Sequence, residues 1–173
     1  MSIDSSDTVS SRVTAYFQDQ PRAMTMMAAR ELDLPEAEVL RHLPNNKSTE
    51  LDARKFREMM DSLAEQGKVH VIVSNGATTI EAFGEFGGFS TFDPFFNVQT
   101  KSLDMHIRHE KIAAVFCVEK PGHLDGVPTL SVQFYDDAGN SAFKVFFTFG
   151  EKDPSEKCRQ WWESFRTRFA LEQ

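Results

Sequence analysis

KVHVIVSNGATTIEAFGEFGGF, Lys68 to Phe89, is where the chain changes its period. Before Gly67 the apolar residues recur at helical spacing. After it they alternate, with Val69, Val71 and Val73 against Lys68, His70 and Ser74. Side chains on a strand point to opposite faces with period two, so the alternation predicts strands. Asn75-Gly76 sits between two such runs and signals a tight hairpin. Downstream, FFNVQ, MHIRH, IAAVFCVEK, TLSVQFYD and SAFKVFFTFG repeat the pattern, and DDAGN joins the last two. Turns rather than helical crossovers separate these segments, so the sheet is predicted antiparallel. GEFGGF reads as a loop with aromatic anchors.

Working outward, the upstream part is helical. Residues 1–8 are Ser- and Asp-rich and are expected to be mobile. RVTAYFQDQ, MTMMAARELDL and PEAEVLRHL read as three short helices, with Pro35 suited to the first turn of the third. NNKST is a predicted loop. Thr49 then caps a fourth helix with Asp52 three residues on, and Phe56, Met59, Met60 and Leu63 form its apolar stripe. Gly67 closes that helix. At the other end, Asp153 as capping acid, Pro154 at the first helical position and Glu156 open a last helix. Its stripe is Cys158, Trp162, Phe165 and Phe169. The expected fold class is α+β, an antiparallel β-sheet flanked by N-terminal helices and a C-terminal helix. One domain spans 1–173: helical over 1–66, sheet over 67–150, helix over 151–173.

Composition narrows the function. With 16 Phe and 2 Trp in 173 residues the chain can build a sizeable core. No apolar run is long enough to span a bilayer. MSIDSSDTVSSRV lacks the basic start and apolar stretch of a secretory signal, which implies a cytoplasmic protein. Cys117 and Cys158 are far apart, lack a CxxC setting and read as small buried hydrophobes. MTMMAARELDLPEAEVLRHL has helix–turn–helix rhythm, but its second helix presents Glu36, Glu38 and Arg41 instead of base-reading side chains. Residues 1–66 carry 8 basic and 12 acidic groups, and the net charge of −7 opposes a phosphate-backbone partner. The segment is read as a helical cap on the sheet, with DNA binding as the alternative.

The candidate chemistry centres on SLDMHIRHEKIAAVF, Ser102 to Phe116. Leu103, Met105 and Ile107 predict a core face, which puts His106 outward between Asp104 and Arg108. His109 is three residues on; on a strand the pair point apart and cannot grip one ion. No GxSxG, reactive cysteine or phosphate loop is present. His106 is therefore either a solvated strand residue or one that awaits a ligand.

MHIRHEKIAAVFCVEK resembles the haem-ligand strand of the ChuX/HutX family of haem-utilisation carriers, where a His-Ile-basic triplet precedes an apolar strand ending in Glu. EVLRHLP is similar to the helix end before that family's first loop. TLSVQFYDDAGNSAFKVFF resembles its following hairpin, down to the Lys-aliphatic-Phe step. The resemblance runs from about Val39 to Gly150. It implies an α+β fold, a homodimer, reversible binding of haem b and an iron ligand at His106. A second family histidine falls on Ser74. His70 shares that strand face but lies four residues away, roughly 13 Å. Ser74 is then expected to line the pocket or hold a water.

The reading that follows is a cytoplasmic haem carrier without chemistry of its own. His106 binds iron, Arg108 pairs with a propionate, and Phe89, Phe92, Phe95 and Phe96 supply apolar walls. A protein donor or acceptor of haem is a further expected partner; nucleic acid and membrane insertion are not expected. Haem breakdown, as in the tandem-repeat HemS/ChuS relatives, is the enzymatic alternative.

Overall fold

A computed structural model of the chain describes residues 5–147 and 154–172. Three helices come first: α1 (Ser5–Asp19), α2 (Thr25–Leu32) and α3 (Glu36–Arg41). Strand β1 (Ser48–Leu51) and helix α4 (Phe56–Ala64) follow. Then come β2 (Lys68–Ser74), β3 (Thr79–Glu85), β4 (Ser90–Phe92), β5 (Phe95–Gln99) and β6 (Asp104–Ile107). The chain continues through β7 (Ala114–Pro121), β8 (Pro128–Tyr135) and β9 (Ser141–Phe146) to helix α5 (Glu156–Phe169). The expected α+β class is what the chain adopts, with every strand pair antiparallel.

The strands form two sheets instead of one. Six run in the order β1-β7-β8-β9-β2-β3, and three in the order β4-β5-β6. Both predicted hairpins form. Asn75 closes the first by accepting from the backbone N–H groups of Ala77 and Thr78. Asp136 closes the second by accepting from those of Ala138 and Asn140. Gly139 there has a φ of 78°, and a Cβ on it would stand 2.7 Å from Pro35 Cβ, so this turn also lets α3 approach.

Each face of the six-stranded sheet carries its own core. On one face Val69, Val71, Val115, Cys117, Val132, Phe134 and Val145 pack with α4, α5 and the inner side of the small sheet. Phe56 ties these layers together: its ring meets Phe96 at 5.4 Å and Phe134 at 5.9 Å, both edge to face. The predicted stripe of α5 buries Trp162, Phe165 and Phe169, about 2 kcal/mol for each side chain removed from water. On the opposite face Phe116, Val118 and Tyr135 receive Val13 and Phe17 of α1, Ala28 and Ala29 of α2, and Ala37, Val39 and Leu40 of α3. The α2–α3 pair is thus a cap packed on the sheet.

Under that cap runs a polar ladder. Tyr135 donates to Gln133 at 2.6 Å, and Gln133 to Ser131 at 2.9 Å. Burial, helped by the Glu36 carboxylate nearby, pushes the Tyr135 phenol well up. Glu36 accepts from Thr25 Oγ1 and from Lys144 Nζ, each at 2.5 Å, so it links α2, α3 and β9.

Four local expectations are corrected. Residues from Ser5 onward belong to α1, so the Ser- and Asp-rich start is helical over 5–8. Ser48–Leu51 is a strand paired with β7, and Thr49 caps nothing; Asp52 instead caps a 3-10 turn over Ala53–Lys55. Pro35 stands at the N-cap of α3, one residue ahead of the helix. The cap of α5 is Ser155, which accepts from the Cys158 N–H at 3.2 Å, whereas Asp153 lies outside the described residues.

The two edges of the six-stranded sheet differ. Along β1, Asp52 N–H donates to Phe169 O and Leu171 N–H to Glu50 O, so the chain's own last residues cover that edge. β3 is the other edge strand; over one of its faces a Cβ on Gly84 would lie 1.8 Å from Ser102 Oγ, so only glycine admits this close approach of the 100–103 turn.

Candidate functional site

The small sheet positions the candidate residues. Its inner side buries Phe96, Val98 and Ile107 in the core. Arg57 of α4 steadies it from that side, 5.1 Å above the Phe96 ring and 3.0 Å from Thr91 Oγ1. Alternation then fixes the outer side. Register pairs Ser90 with Asn97, Asn97 with His106, Phe92 with Phe95, and Gln99 with Asp104, so all seven side chains share one face. His106 is 56% exposed in its side chain and Phe92 is 77% exposed, so this face is open to solvent. The outward position of His106 is as predicted.

Hydrogen bonds orient the imidazole. His106 Nδ1 lies 2.7 Å from Asn97 Oδ1, and Asn97 Nδ2 donates to Ser90 Oγ at 3.1 Å. His106 Nε2 points away from Asn97, with the Asp104 carboxylate 3.6 Å off. The Phe95 ring stands edge-on at 6.2 Å from the imidazole. An imidazole held through Nδ1 with Nε2 outward is the arrangement that a metal-binding histidine uses. Beside it, Phe92 and Phe95 offer apolar surface. These residues fit a haem: one nitrogen donor for iron, and aromatic side chains next to it for the macrocycle.

The other expected residues are distributed differently. Among the four phenylalanines expected as walls, Phe96 is 1% exposed and belongs to the core, and Phe89 packs on Phe86 and Phe96. Only Phe92 and Phe95 lie on the His106 face. Arg108 follows β6 and pairs with Glu110 at 2.8 Å across exposed surface; a backbone hydrogen bond first, and Arg108 second, lower the Glu110 pKa. His109 leaves the strand and stacks on Phe56 at 5.9 Å, so it shares no face with His106. Ser74 ends β2 on the large sheet, where its hydroxyl accepts from Gly76 N–H at 3.3 Å and Thr79 Oγ1 at 3.0 Å. His70 stacks on Phe83 at 4.0 Å and meets Glu81 at 3.0 Å. No described contact joins Ser74 or His70 to His106.

Asn97, Ser90 and Gln99 were not singled out from sequence. The signal was an asparagine inside the apolar run FFNVQ, since Asn is depleted in strands and is rarely buried without a reason. Elsewhere, a shallow cavity of about 440 Å³ is lined by Tyr16, Arg22, Met27, Glu31 and His123, none of them on the small sheet. Among the described residues no cluster of three metal-ligating side chains is present. No described helix is long and apolar enough to cross a membrane.

Comparison with known proteins bears on this face. A family model described as haem utilisation ChuX/HutX matches residues 49–164, from β1 into α5. The chain belongs to the ChuX/HutX family. Helices α1 to α3 precede the matched region. The intracellular heme transport protein HutX of Vibrio cholerae is 22% identical over 148 residues, 84% of this chain and 76% of HutX. A crystal structure from Agrobacterium tumefaciens superposes with a TM-score of 0.81 at 25% identity, covering 98% of both chains. The heme degrading enzyme ChuS of Escherichia coli O157:H7 shares the fold, with a TM-score of 0.78 at 19% identity. That match covers 97% of this chain and 48% of ChuS.

Proposed function

We propose that the chain is a cytoplasmic haem carrier that binds the iron of haem b through Nε2 of His106. The observation that carries this reading is the Asn97–His106 hydrogen bond, which turns Nε2 outward on an open face beside Phe92 and Phe95. Membership of a haem-utilisation family supports it. Arg108 enters the reading as a propionate partner that exchanges Glu110 for the ligand, and Ser74 as a polar contact or water holder. An open face covers one side of a haem only. A homodimer, or a protein donor or acceptor, covers the other. The ChuS match supports pairing, because one copy of this chain corresponds to about half of that enzyme.

The test is a haemin titration followed by absorbance, on the wild type and on His106→Ala. The wild type gives a saturable Soret shift, and His106→Ala loses it or binds at least about tenfold more weakly. No shift in the wild type, or an identical spectrum in His106→Ala, overturns the assignment. Reducing the complex in air separates carriage from breakdown. A steady Soret band fits a carrier; bleaching with a biliverdin-like product assigns turnover instead.

A further inference from the structure

The outer face of the small sheet holds more than a histidine and its neighbour. It holds a directional chain of hydrogen bonds, and its direction can be worked out from one end. Asp104 is a carboxylate and can only accept. Gln99 reaches Asp104 Oδ1 at 3.4 Å and must do so with its Nε2 amide. That turns Gln99 Oε1 toward Ser90, whose hydroxyl donates to it at 3.4 Å. Ser90 Oγ has then spent its one proton and accepts from Asn97 Nδ2. Asn97 Oδ1 is left facing His106 Nδ1 at 2.7 Å. An amide oxygen cannot donate, so the ring proton sits on Nδ1.

We propose that Asn97 is a positioning residue that locks His106 in the Nδ1–H tautomer, with Ser90, Gln99 and Asp104 fixing which way the Asn97 amide points. The proposal rests on the reading of His106 as the iron ligand and adds the device that presents the correct nitrogen. A neutral imidazole has one lone pair, and the hydrogen bond made by one nitrogen decides which nitrogen keeps it. Asn97 is 7% exposed and sits on the central strand β5, so the acceptor is held on a rigid element. Without it the ring is free to take the other tautomer, which puts the proton on the nitrogen that faces outward. Asp104 anchors the direction of the chain through Gln99, and its carboxylate lies 3.6 Å from Nε2.

The experiment reads the tautomer directly in the full chain without haem, so it does not depend on haem binding. Long-range proton–nitrogen correlation spectra of the nitrogen-15 labelled protein are recorded at a pH where the imidazole is neutral. The wild type shows His106 protonated at Nδ1. Asn97→Leu shifts His106 toward the Nε2–H form, and Asn97→Asp, which still accepts, keeps Nδ1–H. Haemin dissociation constants follow, with Asn97→Leu about tenfold weaker than wild type and Asn97→Asp close to it. If Asn97→Leu fails to fold, Gln99→Met on the exposed end of β5 removes the anchor, and a mixture of tautomers replaces the single one. An Nε2–H tautomer in the wild type, or an unchanged Nδ1–H signal in both Asn97→Leu and Gln99→Met, overturns the proposal. If the tautomers behave as expected but His106→Ala binds haemin as the wild type does, the ligand reading fails and the positioning of the ring stands.

Discussion

Replacing Lys144 by Met removes one partner of the ion pair that holds the helical cap to the sheet. The Lys144 and Glu36 side chains are 13% and 8% exposed, so the pair is buried. In Lys144→Met the Glu36 carboxylate loses the ammonium and keeps the Thr25 hydroxyl, with the Tyr135 phenol nearby. Leaving a buried charge uncompensated costs about 3–5 kcal/mol. The Thr25 bond offsets part of that, so the expected loss is about 3 kcal/mol. Glu36→Met strands the Lys144 ammonium and loses a similar amount, about 3 kcal/mol. The double variant leaves no unpaired charge. It gives up the Thr25 bond and keeps the apolar contacts, and it is expected to lose no more than either single change. The coupling is therefore about 3 kcal/mol, the upper end of what contacting residues show. Urea unfolding of the four proteins, followed by circular dichroism and by the fluorescence of Trp161 and Trp162, measures it. Both tryptophans lie on α5, whereas the ion pair lies on the opposite face of the sheet. A dichroism transition that precedes the fluorescence transition in Lys144→Met would report early release of α1 to α3. Additivity of the single losses within about 0.5 kcal/mol would refute the reasoning.

Two further predictions concern charge and the hairpin. Burial, with Lys47 and Lys144 nearby, lowers the Lys120 pKa from 10.5 to about 8. Between those values the unfolded chain holds a proton that the folded chain has released, so wild-type stability rises with pH across that window. After allowance for partial exposure the gain over Lys120→Met is about 1 kcal/mol from pH 8 to 10, measured by urea unfolding, and a pH-independent difference contradicts it. Ser74→His restores a histidine at the end of β2; haemin binding is expected to tighten and the iron to move toward low spin in the absorbance spectrum. If neither changes and His106→Ala is also inert, both carried-over positions are wrong.

The large elements were legible because single patterns dictate them. The change of period after Gly67 and the Asn75 and Asp136 turns fix β2, β3, β8 and β9 locally. The Trp162, Phe165 and Phe169 stripe fixes α5 in the same way. What was missed depends on partners distant in sequence. Ser-Thr-Glu-Leu has no apolar alternation, and it becomes β1 only because β7 offers an unpaired edge. The division into two sheets was invisible for the same reason: Phe96, Val98 and Ile107 alternate like any strand residues, and alternation does not say which strands pair. The site was half legible. His106 faced outward as its neighbours required, but which phenylalanines shared its face depended on a register that sequence does not print. Phe96 went into the core and Phe92 stayed out. Asn97 was visible as an odd residue, and only its place opposite His106 gives it a purpose.

The unequal edges of the large sheet limit how copies of this chain can join. A strand edge is a template for another chain, and proteins manage it by covering or interrupting it. Phe169 to Leu171 cover β1, whereas β3 is the edge strand at the other end of the order. Among the described residues, strand addition to this sheet is then directed to β3. Two copies that meet there antiparallel, about a two-fold axis, consume the open stretch on both sides. The product is a closed pair with covered β1 edges at its ends, so head-to-tail growth into a filament through this sheet is blocked from the start.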